Sequence, residues 1–179
     1  LALIVLAESL VIITGKFDLS LESIYGFAPA IGAMVVLPAA QFGFGFELPT
    51  FVGIIVVLLV GALIGFINGF MVVGLRLNAF IVTLAMLIIL RGMLVGATSG
   101  RTLFDLPDAF YALMVVTLLG MPLAVWLAAL AFLIAGIVLR YHRLGRALYA
   151  IGGNPEAARA AGIRVERIMW GVFVVAGML

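Results

Sequence analysis

Residues 51–75 contain no charged side chain. A helix needs roughly 20 predominantly apolar residues to cross the hydrocarbon of a bilayer. This run is long enough. In lipid a helix also satisfies all of its own backbone hydrogen bonds. The rest of the chain conforms to that reading. Hydrophobic residues make up 66% of it and charged residues 10%, against about 25% charged in soluble domains. Mean hydropathy is +1.39. The fold class is therefore all-α integral membrane, a polytopic helical bundle.

Other apolar runs flank the first. Residues 1–14 are apolar except for Glu8 and Ser9, and are too short to span. Gly15 to Ser20 breaks that run. Residues 24–40 form a second span carrying Pro29 and Pro38. Residues 79–97 return across the membrane. Residues 111–139 contain a further span, with Gly120 and Pro122 read as kinks. Residues 168–179 open another, with Trp170 near the interface. The count is about six full or partial spans. Within residues 51–75, Gly61, Gly65 and Gly69 recur every four residues, a spacing that lets helices pack closely.

Orientation follows from the basic residues. Arg140, Arg143, Arg146, Arg159, Arg164 and Arg167 are six of the ten Lys and Arg in the chain. A short loop with this many arginines lies on the cytoplasmic side. Arg76 and Asn78 then mark a short inside turn. The loop around Glu47 carries no Lys or Arg and reads as outside. So does the mixed loop of Arg101, Asp105, Pro107 and Asp108. Inside and outside loops alternate without conflict. The isoelectric point near 9.4 reflects the arginine cluster. Basic and aromatic residues are not interleaved as single-strand binding requires, so no nucleic-acid partner is expected.

Several chemistries lack their residues. There is no Cys, hence no disulfide framework or thiol nucleophile. The single His, His142, lies in the arginine loop, and a metal site needs several ligands. No metal and no cofactor are expected. A phosphate loop of the G-x-x-x-x-G-K-[ST] type is missing, since Leu10 stands where Gly15-Lys16 would require the first Gly. No acid–base set marks an enzyme.

The arginine loop contains a short helix by its own signals. Asn154 is an N-cap residue. Pro155 suits the first helical position. Glu156 favours the positive end of the helix dipole. Ala157, Ala158, Arg159, Ala160 and Ala161 are good helix formers, and Gly162 suits the left-handed position that ends a helix. Ala157, Ala158 and Ala161 fall on adjoining positions of this two-turn element. Gly152-Gly153 reads as a sharp, flexible entry. On pattern alone this is a well-capped loop helix.

The run LGRALYAIGGNPEAARAAGI adds more. It resembles the cytoplasmic loop of the inner-membrane permeases of bacterial ABC sugar importers, the ribose, xylose and arabinose type. Two more stretches resemble the same family. VIITGKFDLSLES matches its signature around Asp-Leu-Ser, with Lys16 and Glu22 where the family usually has Gly. NAFIVTLAMLIILRGMLVGATSG matches its F-I-V-T-L…R-G signature, with Asn78-Ala79 replacing prolines. The three occur in the family's order.

The resemblance implies a membrane permease with no enzymatic activity of its own. Residues 1–179 would be a single transmembrane permease domain with a coupling loop at 140–167. The chain ends within apolar runs and reads as a fragment of a permease of roughly ten helices. The coupling set would be Gly153, Asn154, Pro155, Glu156, Ala157, Ala158 and Gly162, docked on an ATP-binding subunit that hydrolyses ATP. The other implied partners are a periplasmic substrate-binding protein, a second permease subunit and membrane lipid. The expected location is the bacterial inner membrane.

Four residues are candidates for the translocation pathway: Asp18, Ser20, Thr83 and Arg91. Ionisable residues at membrane depth are costly and mark function, and a broken helix at depth exposes backbone groups to a polar solute. Arg91 lies about 20 Å up its helix from Asn78. It either snorkels to the headgroups or faces the bundle interior. A branched-chain amino-acid permease of the same superfamily is one alternative, though Asp18-Leu19-Ser20 and Gly145-Arg146 lean towards sugar. An ion-coupled secondary transporter using Glu8 and Asp18 is the other.

Overall fold

A computed structural model describes residues 1–104, 106, 111 and 115–179. Asp105, Pro107 and Asp108 of the expected outside loop lie outside the described residues. The named helices are α1 (Ala2–Ile13), α2 (Leu21–Val36), α3 (Thr50–Gly69), α4 (Ala79–Thr98), α5 (Leu123–Tyr141), α6 (Arg143–Gly153), α7 (Pro155–Ala160) and α8 (Val165–Met178). A turn of π-helix, Phe70–Gly74, prolongs α3, so that Thr50–Gly74 forms one apolar rod of 25 residues. That rod, Ala79–Thr98 and Leu123–Tyr141 are long and apolar enough to cross a membrane. α1 and α2 are shorter apolar helices.

The local chemistry explains the boundaries. Asn78 accepts hydrogen bonds at Oδ1 from the Phe80 and Ile81 amides, at 2.9 and 3.4 Å, and so starts α4. This is the work an N-cap does. α2 stops at Val36 because Leu37 precedes Pro38 and takes extended geometry, ψ 144°, as a residue before proline prefers. The expected second span is therefore shifted: Pro29 lies inside it and Pro38 beyond it.

Gly120 and Pro122 do not kink a span. Thr117–Leu118 (β1) pairs antiparallel with Met121–Pro122 (β2). Leu119 and Gly120 between them both have positive φ, 52° and 77°, as a two-residue hairpin turn of the I′ type requires. α5 begins only after Pro122, and Trp126 Nε1 donates to the Leu118 carbonyl at 2.9 Å to hold the hairpin on it.

The core forms where α3 crosses α8. A Cβ on Gly61 would collide with the Gly177 carbonyl, one on Gly65 with that of Phe173, and one on Gly69 with the Trp170 ring. The glycine spacing thus brings two backbones into contact, where dispersion forces do most of the work in lipid. Trp170 closes the crossing. Its Nε1 donates to the Phe66 carbonyl at 3.0 Å, and its ring lies 4.8 Å from that of Phe66. Val11, Ile24, Phe27, Ile64, Val82 and Phe173 fill the interior. On its outer face α3 presents Phe51, Ile55, Leu59 and Leu63, a wholly apolar stripe.

Candidate functional site

α7 has caps at both ends. Asn154 Oδ1 accepts from the Glu156 and Ala157 amides, each at 3.0 Å. At the other end Gly162 has φ +83°. Its amide donates to the Arg159 carbonyl at 2.9 Å, and the Ile163 amide to that of Ala158 at 3.0 Å. This paired pattern is the Schellman motif. Local sequence thus builds a helix too short to be stable by propensity alone.

Ala158 points inward and is buried against Ile151, Val165 and Met169. The rest of the coupling set stays exposed: Gly153, Asn154, Pro155, Glu156, Ala157 and Gly162. Ala158 is therefore the anchor of α7, and Ala157 and Ala161 lie on its open side. Arg159 Nε binds Glu166 Oε1 at 2.8 Å. The Glu166 amide, and after it the Arg159 guanidinium, hold the Glu166 carboxyl below the usual carboxylate range.

α6 joins α7 to the bundle. His142 Nδ1 accepts from the Leu144 amide at 3.2 Å and starts this helix. Gly152 and Gly153 are its last residues, so they do not form a flexible entry. Gly152 lies against the carbonyl of Ile13, at the end of α1, where a Cβ would collide. Beside this contact a cavity of ≈ 430 Å³ separates α7 from the inner turns of the bundle. Lys16, Arg76, Pro155, Arg159 and Glu166 are among its lining residues.

The break between α1 and α2 is a polar knot. Asp18, Ser20, Asn68 and Thr83 are all buried. Ser20 donates to Asp18 Oδ1 through its amide, at 2.9 Å, and its hydroxyl, at 2.6 Å. Asn68 Nδ2 of α3 donates to Ser20 Oγ at 2.7 Å. The Leu19 amide donates to Thr83 Oγ1 of α4 at 3.1 Å, and the Asp18 amide to Glu8 Oε1 of α1 at 3.3 Å. The break is therefore tied to three helices, and Asp18 is not a solvated turn residue. Positive φ falls on Gly15, +76°, so Lys16 occupies its family glycine position without backbone strain.

Of the four expected pathway residues, Asp18, Ser20 and Thr83 come together. Arg91 does not join them. It faces outward beside Glu22, with Nη1 3.9 Å from Glu22 Oε1. Neither Asn68 nor Glu22 was among the expected site residues. The available signal for Asn68 was a carboxamide inside an otherwise apolar span, where polar side chains are retained for a reason.

Apolar rods, close helix crossings and a buried polar break between two short helices are the parts of a multi-pass membrane permease. The chain belongs to the family described as branched-chain amino acid transport system / permease component, whose model matches residues 1–179. It is thus a multi-pass protein of the bacterial inner membrane. It is 36% identical over 182 residues to the ribose import permease protein of Haemophilus influenzae, covering 99% of this chain and 54% of that protein. It is 34% identical over 166 residues to the L-arabinose transport system permease protein of Escherichia coli K12, covering 93% and 48%. The autoinducer 2 import system permease protein of Photorhabdus luminescens is 32% identical over 179 residues, covering 100% and 52%. The chain therefore spans about half the length of the curated relatives it matches. No solved structure matches it.

Proposed function

We propose that this chain forms the membrane-spanning part of an ATP-driven importer for a monosaccharide. Residues 1–179 form one transmembrane permease domain, with residues 140–167 as its cytoplasmic coupling loop. ATP is hydrolysed on separate ATP-binding subunits that dock on α7. A periplasmic binding protein delivers the sugar, and a second permease subunit completes the path. The observation that carries this reading is the exposed, doubly capped α7, anchored beneath by Ala158 and joined through α6 to the end of α1. A push on α7 reaches Ile13 through Gly152, and from there the Asp18–Ser20 break that bonds to α3 and α4. The substrates named for two relatives, ribose and L-arabinose, favour sugar over an amino acid.

The experiment has two arms, both in the intact transporter. Uptake of radiolabelled ribose, arabinose and leucine identifies the substrate class, and leucine uptake without sugar uptake overturns the sugar reading. Ala157→Arg tests the docking surface. It keeps helix propensity but forces an unpaired charge into any contact, a change that costs several kcal/mol when buried, on the order of 3–5. The expected product is a permease at normal membrane abundance that no longer co-purifies with its ATP-binding subunit and no longer transports. An exposed loop helix would instead tolerate the change almost silently. Retention of both partner and transport overturns α7 as the docking helix.

A further inference from the structure

α2 has an exposed stripe unlike that of α3. Along it lie Glu22, Tyr25 and Pro29, with Gly26 half-buried between them. The Ser23 hydroxyl donates to the Leu87 carbonyl at 3.0 Å, which sets the start of α2 beside the middle of α4. Arg91, one turn further along α4, meets Glu22 there. The two side chains are 70% and 65% exposed, for Arg91 and Glu22 respectively. Tyr25 is 60% exposed. Pro29 lies inside the helix and has no N–H to give the carbonyl four residues before it, which is that of Tyr25. One stripe therefore presents a carboxylate, a phenol ring and a guanidinium, on a helix whose Tyr25 carbonyl lacks the N–H donor four residues on.

Hydrocarbon does not solvate such groups. Arg91 does not snorkel to the headgroups: its guanidinium reaches Glu22, on the first turn of α2, and ionised side chains within membrane spans otherwise face a water-filled cavity or protein. The chain spans about half the length of its relatives, so exposure alone does not choose between these; the mixed donors and acceptors of the stripe favour the water-filled path. The loose 3.9 Å separation of the pair leaves the Arg91 donors and Glu22 acceptors open to other partners. The pair is net neutral, so it neither traps nor repels an uncharged solute. A hydroxyl group both donates and accepts, and so satisfies carboxylate, carbonyl and guanidinium alike. The Tyr25 ring, one turn from Glu22, offers an apolar surface to the C–H face of a sugar.

We infer that Glu22, Tyr25 and Arg91, with the Tyr25 carbonyl freed by Pro29, form a hydroxyl-binding face along which an uncharged polyol passes through the membrane. The inference deepens the sugar-importer reading and rests on it. It adds two residues, Glu22 and Tyr25, to Arg91 in solute contact. It also places the polar knot at Asp18 outside that contact, as the tie that holds α2 in place.

The test uses the intact transporter with its ATP-binding and binding-protein partners. Glu22→Gln and Arg91→Leu are compared with the unsubstituted protein for maximal sugar uptake, co-purification of subunits and ATP hydrolysis stimulated by the binding protein. Each variant is expected to lose about tenfold or more of its maximal uptake, while assembly and stimulated hydrolysis persist. Since the chain has no native Cys, Tyr25→Cys adds a measurement that does not depend on the charged variants folding. It should react with a water-soluble thiol reagent, and transported sugar should slow that reaction. Leu59→Cys, on the apolar stripe of α3, should stay unreactive. Uptake by the unsubstituted protein with no change in either charge variant overturns this inference alone. So does loss of subunit assembly in both, which would make the stripe an interface, or an unreactive Tyr25→Cys. Failure of the unsubstituted protein to move any sugar overturns the sugar-importer reading, and this inference with it.

Discussion

Gly152 packs against the backbone carbonyl of Ile13, and a single added carbon there would meet it. Neighbouring Gly153 has open space around it. Two adjacent glycines on one helix therefore answer to different physics. Gly152→Val must push α6 away from α1, an overpacking change that costs about 1–3 kcal/mol. Gly153→Ala meets nothing and gains helix propensity, a stabilisation approaching about 1 kcal/mol. Thermal unfolding of the purified protein in detergent should move in opposite directions for the two. Equal shifts would show that the close approach does not exist.

The Asn68–Ser20 bond can be weighed by a double-mutant cycle. Interhelical hydrogen bonds in membrane proteins average about 0.6 kcal/mol, whereas stranding a buried partner costs more, about 1–3 kcal/mol. Asn68→Leu and Ser20→Ala should each destabilise the protein. The double variant should lose less than the sum, because the partners share one network. Strict additivity in unfolding measurements would mean that the two side chains act independently.

Arg159 and Glu166 form a half-exposed ion pair. Its stabilisation is small, less than about 1 kcal/mol after solvent screening. The sign of its pH dependence is nonetheless defined. The folded carboxyl titrates below its unfolded value. The contribution is therefore complete above that value and is lost as pH falls through the folded pKa. Glu166→Gln should lower stability at pH 7 by no more than this contribution, and the two proteins should converge as pH falls. A difference that persists at low pH, or one unaffected by added salt, would contradict the pairing.

Sidedness is open to direct labelling. Glu47→Cys should react with an impermeant thiol reagent applied from the periplasm, and Arg159→Cys should react only after the membrane is opened. The prediction rests on the excess of arginines in the loop that holds α7. Labelling of position 159 from outside would invert the topology and remove α7 from the compartment where ATP is found.

What the amino-acid sequence determined by itself was local. The rods at Thr50–Gly74 and Ala79–Thr98 follow from apolar length, because lipid imposes its own dimension on a helix. The caps at Asn78, Asn154 and Gly162 follow from side-chain and backbone preferences within a few residues. The glycine spacing on α3 showed which face could pack closely, but not that Gly177, Phe173 and Trp170 pack against it. Only the tertiary structure decided what distant residues meet. Asn68 reaches Ser20 across 48 positions, and no local preference records such a bond. Gly152 resembled a hinge because sequence shows its missing side chain and not the carbonyl that needs the space. Ala158 and Ala157 are equivalent by propensity. They differ because α7 must bury one side to stay folded, and the positions of Ile151, Val165 and Met169 choose which. Glu22 and Arg91 were each visible as charges in apolar sequence. Their pairing on an open face depended on the register of α2 against α4, which the Ser23–Leu87 hydrogen bond sets.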